Sequence, residues 1–203
     1  MMSTQEKNYL TPEVLEFATV AVPFCALLHE AAQTQRADFV ERLLKILPLL
    51  YVKSSLLPSI EQSDEAEELF ALLPESVSEE EYTYVQRSIE DLLDREDLFL
   101  ETLSDDMQYS DVPMTARISE CLADVYQPVG NLVGILRDEN FVALPAAISF
   151  THAQFEEYWG DRLLAALRAL HRVRYTQEAE LAAVIPTLPT EEDFEAHIDK
   201  MFD

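Results

Sequence analysis

The sequence predicts an all-α fold: an irregular bundle of five or more amphipathic helices, several kinked by proline, with an acidic connector. Three observations predict it. Apolar residues recur at spacings of three, four and seven through most of the chain, the signature of one buried helical face. Glycine is scarce, Gly130, Gly134 and Gly160 being the only three, whereas tight hairpins and phosphate-cradling loops depend on glycine for positive φ and close backbone approach. No repeat of fixed period is evident, which argues against a solenoid. With 203 residues, 48% of them hydrophobic, the chain is long enough to bury roughly 70% of its unfolded surface without metal or disulfide support.

The elements follow in order. Thr11-Pro12-Glu13 opens the first helix with a capping hydroxyl, a proline at the first helical position and an acid. Val14, Leu15, Phe17, Ala18, Val22, Leu27 and Leu28 carry it to about Ala32. A second helix is expected from Asp38 to about Leu57 on Phe39, Val40, Leu43, Leu44, Leu47, Leu50 and Tyr51. Pro23 and Pro48 interrupt these patterns and predict kinks or short breaks, an interior proline costing about 3 kcal/mol. Residues 58–77 read as the acidic connector, with an apolar knot at Leu69–Leu73 expected to dock as a short helix.

Ser78 and Glu81 have the spacing of a capping box for a helix to about Asp94, with a stripe of Tyr82, Val85, Ile89, Leu92 and Leu93. A shorter helical piece is expected from Asp97 to Leu103, ending in the turn Ser104-Asp105-Asp106. Asp111, followed by Pro113, opens a helix through Arg137 whose stripe is Ile118, Leu122, Val125, Val129, Leu132, Val133 and Leu136, with Pro128 a further kink site. Gly130 and Gly134 form a GxxxG that admits a close neighbour. The last long helix is expected from about Asn140 to Arg174, breaking near Pro145, with Arg162, Arg168, Arg172 and Arg174 on its exposed side. A final amphipathic turn from Thr190 to Met201 has docking residues Phe194, Ile198, Met201 and Phe202. Residues 1–175 thus read as a single helical domain and 176–203 as an acidic tail.

The net charge of −25 is uneven. Residues 58–111 hold 18 acids and two bases, and residues 176–203 hold eight acids and one base, while the remaining stretches are nearly neutral. Such a field repels phosphates and anionic lipids, so neither nucleic acid nor membrane is an expected partner. A basic protein is. Cys25 and Cys121 sit in apolar helical patterns outside any CxxC, as buried reduced thiols do. The first residues lack a cationic and then apolar leader, and the longest uncharged apolar stretch, Phe17 to Leu28, falls short of the about 20 residues a bilayer requires. A soluble, cytoplasmic protein is expected.

Candidate chemistry is sparse. The three glycines cannot write a Walker loop or a Rossmann fingerprint, and no G-x-S-x-G is present. Cys25 with His29, and His152 with Glu156, each share a helical face at i, i+4, but no Glu-x-x-His of the di-iron bundles occurs. No cofactor or metal is therefore expected. Asp97, Glu101 and Asp105 recur every four residues beside Asp106, an acidic stripe suited to a solvated face or to loosely held divalent cations. The polar groups inside helical stripes are more informative: Asp124 and Tyr126 on one helix, and Trp159, Arg162, Arg168 and His171 on another. These read either as a structural ion-pair cluster that sets helix register or as the lining of a small binding pocket.

At these residues the chain resembles a bacterial family known as domain of unknown function 5063. The resemblance runs through Leu47-Pro48-Leu49-Leu50-Tyr51, Leu122-Ala123-Asp124-Val125-Tyr126, Phe155-Glu156-Glu157-Tyr158-Trp159-Gly160 and Leu167-Arg168-Ala169-Leu170-His171. It covers most of residues 12–173 and implies a helical domain with no catalytic residues to carry over. Two functions follow as expectations: a non-enzymatic interaction module taking a basic partner through its acidic face, or a small-molecule or metal-binding domain with a pocket near Trp159.

Overall fold

One helix, Ile118–Arg137, is enclosed by the others, and the fold is easiest to build outward from it. The structure, a computed structural model, describes residues 9–58, 60, 75–101 and 114–184. Six helices are described: α1 (Pro12–His29), α2 (Arg36–Ser55), α3 (Glu79–Leu93), α4 (Ile118–Arg137), α5 (Leu144–Gln154) and α6 (Gly160–Val184). α4 packs on α1, α3, α5 and α6, while α2 bridges α1 and α6. Ile118, Leu122, Val125, Val129 and Leu132 are buried, so the predicted stripe is the centre of the core. Its largest members are Trp159, Phe17, Phe24 and Phe39. The fold is an all-α bundle with one small sheet.

Local signals set several boundaries as expected. The Thr11 side chain accepts from the Val14 N–H, and Pro12 occupies the first turn of α1. The Ser78 hydroxyl accepts from the Glu81 N–H at 3.2 Å while the Glu81 carboxylate accepts from the Ser78 N–H at 3.0 Å, a complete capping box. α1 is long and apolar enough to cross a membrane by length and composition. In the fold, its Val14, Phe17, Ala21, Phe24, Leu27 and Leu28 face the core.

Several expectations are corrected. Short breaks do not occur at Pro23, Pro48 and Pro128, each lying within a continuous helical span whose other turns are held by buried side chains. Of the helix expected over Asp97–Leu103, the described residues Leu98–Glu101 are not helical: α3 ends at Leu93, Asp94 with φ of 52° turns the backbone away, and a single 3-10 turn runs to Asp97. Leu98–Glu101 then forms strand β1, antiparallel to β2 (Met114–Arg117), with Leu98 opposite Arg117 and Glu101 opposite Met114. Accordingly α4 begins at Ile118 rather than near Asp111. The long last helix is interrupted not at Pro145, which lies in the first turn of α5, but by a single π turn at Phe155–Trp159. α6 continues to Val184, past the expected helix end near Arg174. The Leu69–Leu73 knot, the Ser104–Asp106 turn and the Thr190–Met201 turn lie outside the described residues.

Two close approaches explain glycines. Against α4 lies the segment before α3, not another helix: a Cβ on Gly130 would stand 2.6 Å from the Val77 side chain, and the Val77 N–H donates to the Asn131 side chain at 2.8 Å. In the π turn the Gly160 N–H reaches back to the Phe155 carbonyl, which a Cβ on Gly160 would meet at 2.5 Å.

The amino end of α4 lacks a cap of its own, and Asp97 supplies it. This buried carboxylate accepts from the Ser119 N–H at 2.7 Å and the Ser119 hydroxyl at 2.8 Å, with the Arg117 guanidinium 3.6 Å away. Asp97→Ala is expected to cost about 2–3 kcal/mol, a lost cap plus an orphaned buried hydroxyl. Urea unfolding at unchanged m should show it, and a loss below about 0.5 kcal/mol would refute the capping role. Gly160→Ala should destabilise by about 1–2 kcal/mol despite alanine's better helix propensity, because its methyl meets a carbonyl that cannot retreat without opening the π turn.

Candidate functional site

Asp124, in the middle of α4, is the convergence point of three elements. Its Oδ1 accepts from the Tyr82 hydroxyl of α3 at 2.8 Å, and its Oδ2 accepts from the Tyr158 hydroxyl of the π turn at 2.7 Å. Arg162, in the first turn of α6, brings its Nε to 3.5 Å from the same Oδ2. The carboxylate is 13% exposed, so it sits just beneath the surface with three donors around it. The Arg162 guanidinium lies over the Tyr158 ring, 5.2 Å from its centre, a cation–π contact that fixes both side chains.

The π turn makes this geometry. One extra residue per turn rotates everything downstream, so that Phe155 and Trp159 are buried while Tyr158 remains 43% exposed beside Asp124. Tyr82 and Tyr158 phenols are both pushed above the ordinary tyrosine range, first by burial and then by their bonds to the Asp124 carboxylate, which favour the protonated hydroxyl. Cys121, one turn before Asp124, has its thiol pushed up to about 12 by burial, against the opposing pull of Arg162. A carboxylate so occupied by donors from its own chain acts as a clamp between helices, not as an open base.

The six residues expected to cluster are distributed over four places, with only Arg168 and His171 sharing a groove lining and only Asp124 and Arg162 ion-paired. Asp124 and Arg162 meet. Tyr126 points elsewhere on α4: its hydroxyl lies 2.5 Å from His29 Nε2 at the end of α1, with the two rings edge to face at 5.3 Å. Burial raises the Tyr126 phenol as well. Trp159 is fully buried, its indole N–H donating to the Thr151 carbonyl at 3.0 Å, and it packs edge to face on Phe155. Arg168 pairs with Glu101 of β1 at 2.5 Å, fastening α6 to the hairpin. His171 packs on Tyr175, 4.8 Å between ring centres.

The acidic stripe separates for the same reason that its helix does not form. Asp97 faces inward as the α4 cap, Glu101 pairs with Arg168, and Asp105 and Asp106 lie outside the described residues. Of the two i, i+4 pairs, His29 is engaged by Tyr126 and His152 lies parallel to the Phe155 ring. Among the described residues no three histidine, cysteine or acidic side chains are grouped to hold a metal ion. Sequence reading placed Tyr82 in the apolar stripe and missed its hydroxyl's partner; a tyrosine at the rim of a stripe is the available signal, since a buried O–H needs an acceptor.

With the geometry in place, the comparisons are informative. Residues 8–176 match the family described as Domain of unknown function (DUF5063). The chain belongs to that family. Among solved structures, the DUF5063 chain is similar to protein BF1032 from Bacteroides fragilis, at 33% identity over 81% of this chain and 93% of that one, with a TM-score of 0.69. No curated protein matches. Neither the family's description nor the similar structure names an activity.

The tyrosines give the DUF5063 domain an alkaline signature. Folded-state phenols hold their protons above the ordinary value of 10.0, so above about pH 10 the unfolded chain binds fewer protons than the native one. Stability is then full below about pH 10 and falls as pH rises towards the folded-state values. Urea midpoints from pH 9 to 11.5 should show this decline, and Tyr82→Phe should flatten it; an identical slope in that variant would show that Tyr82 is not held protonated.

Proposed function

We propose that this DUF5063 protein is a helical interaction module that takes a basic partner through its acidic face. The observation that carries the reading is an open depression of about 590 Å³ on the outer side of α3. Glu79, Glu80 and Asp91 stand around it with one opposing cation, Arg87, and Tyr84, 46% exposed, offers an aromatic face among them. Carboxylates flanking an accessible ring suit a lysine or arginine side chain, which gains an ion pair and a cation–π contact together. The net charge of −25 adds long-range attraction for a cationic partner, screened within about 10 Å at 0.1 M salt.

A small-molecule pocket near Trp159 has less support. The indole is enclosed, and the Asp124 carboxylate is already held by two hydroxyls and a guanidinium from the same chain.

A fluorescent arginine- and lysine-rich peptide is the probe. At low salt, Glu79→Gln/Glu80→Gln/Asp91→Asn should bind it about tenfold more weakly than the unsubstituted protein, a loss of about 1.4 kcal/mol. Glu81 is left intact to keep the capping box. Binding unchanged in that variant, or an association rate indifferent to salt, would overturn the reading.

A further inference from the structure

An acidic protein carries one groove of the opposite character. Between α2 and α6 lies an open groove of about 900 Å³ with an apolar floor of Leu44, Pro48, Leu164 and Leu167. Its polar lining is Arg168, His171 and Arg172, with no carboxylate among the lining residues. Tyr175 closes one end and is 52% exposed; Leu164 near the other is 44% exposed. Arg168 is partly neutralised by Glu101; Arg172 has no ion pair among the described residues and also lines the adjoining cavity, whose carboxylate, Glu96, pairs with Arg36. Exposed apolar side chains rimmed by cations fit an acidic amphipathic helix, which lays its apolar stripe on the floor and its carboxylates on the rim.

The chain carries such a segment. Phe194, Ile198, Met201 and Phe202 fall at i, i+4, i+7 and i+8, one face of a helix, while Glu191, Glu192, Asp193 and Glu195 supply the charge. Pro186 and Pro189 precede it and disfavour simple continuation of α6. The lengths agree. Val184 lies roughly 14 Å along α6 from Tyr175, at 1.5 Å per residue. Residues 185–189 reach roughly 17 Å when extended. Residues 190–202 as a helix would be roughly 20 Å long, close to the roughly 17 Å from Leu164 to Tyr175.

We propose that the α2–α6 groove is the docking site of the chain's own C-terminal segment, residues 190–202. The segment binds antiparallel to α6, with its acids against Arg172 and His171, and the short tether raises its local concentration to the millimolar range. An acidic amphipathic helix from another protein then has to displace it. This docking uses a different face from the α3 depression, and its failure leaves that reading untouched.

Disulfide trapping in the full chain tests it. The native thiols of Cys25 and Cys121 are pushed up to about 12 by burial, which leaves little thiolate near pH 8. Leu164→Cys with Met201→Cys, which antiparallel docking sets opposite each other, should cross-link within one chain under mild oxidation. The yield should be about tenfold or more that of a control pair, Val142→Cys with Met201→Cys. Val142 is 68% exposed and follows the carboxyl end of α4, whereas the groove's neighbouring cavity is lined by Ile118 at the amino end. Adding Arg172→Glu to the Leu164 pair should cut the yield several-fold, although this surface substitution leaves the core intact. Equal yields from the two pairs, cross-links only between chains, or indifference to Arg172→Glu would each overturn the proposal.

Discussion

The buried carboxylate of Asp97 is the constraint from which the rest of the structure can be read. A buried carboxylate is tolerated only with close donors around it, and here the donors are the Ser119 amide in the first turn of α4, the Ser119 hydroxyl and, at longer range, Arg117. The bond joins the end of one helical hairpin to the start of the central helix. It holds β1 and β2 beside α4 and so sets where the long connection between α3 and α4 leaves and returns. Because α4 touches four other helices, fixing its amino end and its rotation fixes most of the bundle.

Asp124 repeats the solution half-way along the same helix. Asp97 closes a helix end, while Asp124 ties neighbouring helices across a surface seam, using Tyr82 from α3 and Tyr158 and Arg162 from the π turn and α6. The hydrogen bonds to a charged acceptor are each stronger than neutral ones, and their geometry specifies helix rotation more sharply than leucine packing does. The π turn is part of this arrangement. The π turn buries Phe155 and Trp159 and leaves Tyr158 beside Asp124, and Gly160 makes the wide turn sterically possible.

Charge is segregated as well as abundant. Three acids and one arginine gather on α3 around an exposed tyrosine, and cations gather at the middle of α6 over an apolar groove. The polar groups nearest the core, by contrast, are matched within the chain: His29 with Tyr126, Asp124 with Tyr82 and Tyr158, and Trp159 with the Thr151 carbonyl.

Helix existence, caps and buried stripes were legible in the sequence because they depend on neighbours within a turn or two: Thr11 and Pro12, the Ser78–Glu81 box, and the Ile118–Leu132 stripe all form as local spacing requires. The GxxxG at Gly130 announced a close neighbour without saying which, and that neighbour is an extended segment. The β1–β2 pairing, the π turn, the Asp97 cap and the partners of Asp124 and Tyr126 were decided by tertiary structure. Leu98-Phe99-Leu100 fits either period in so short a run, and only pairing with Met114–Arg117 selects the strand. Likewise a hydroxyl or carboxylate within an apolar stripe shows that a partner is needed, but its identity depends on which residue from a distant part of the chain packing brings within 3 Å.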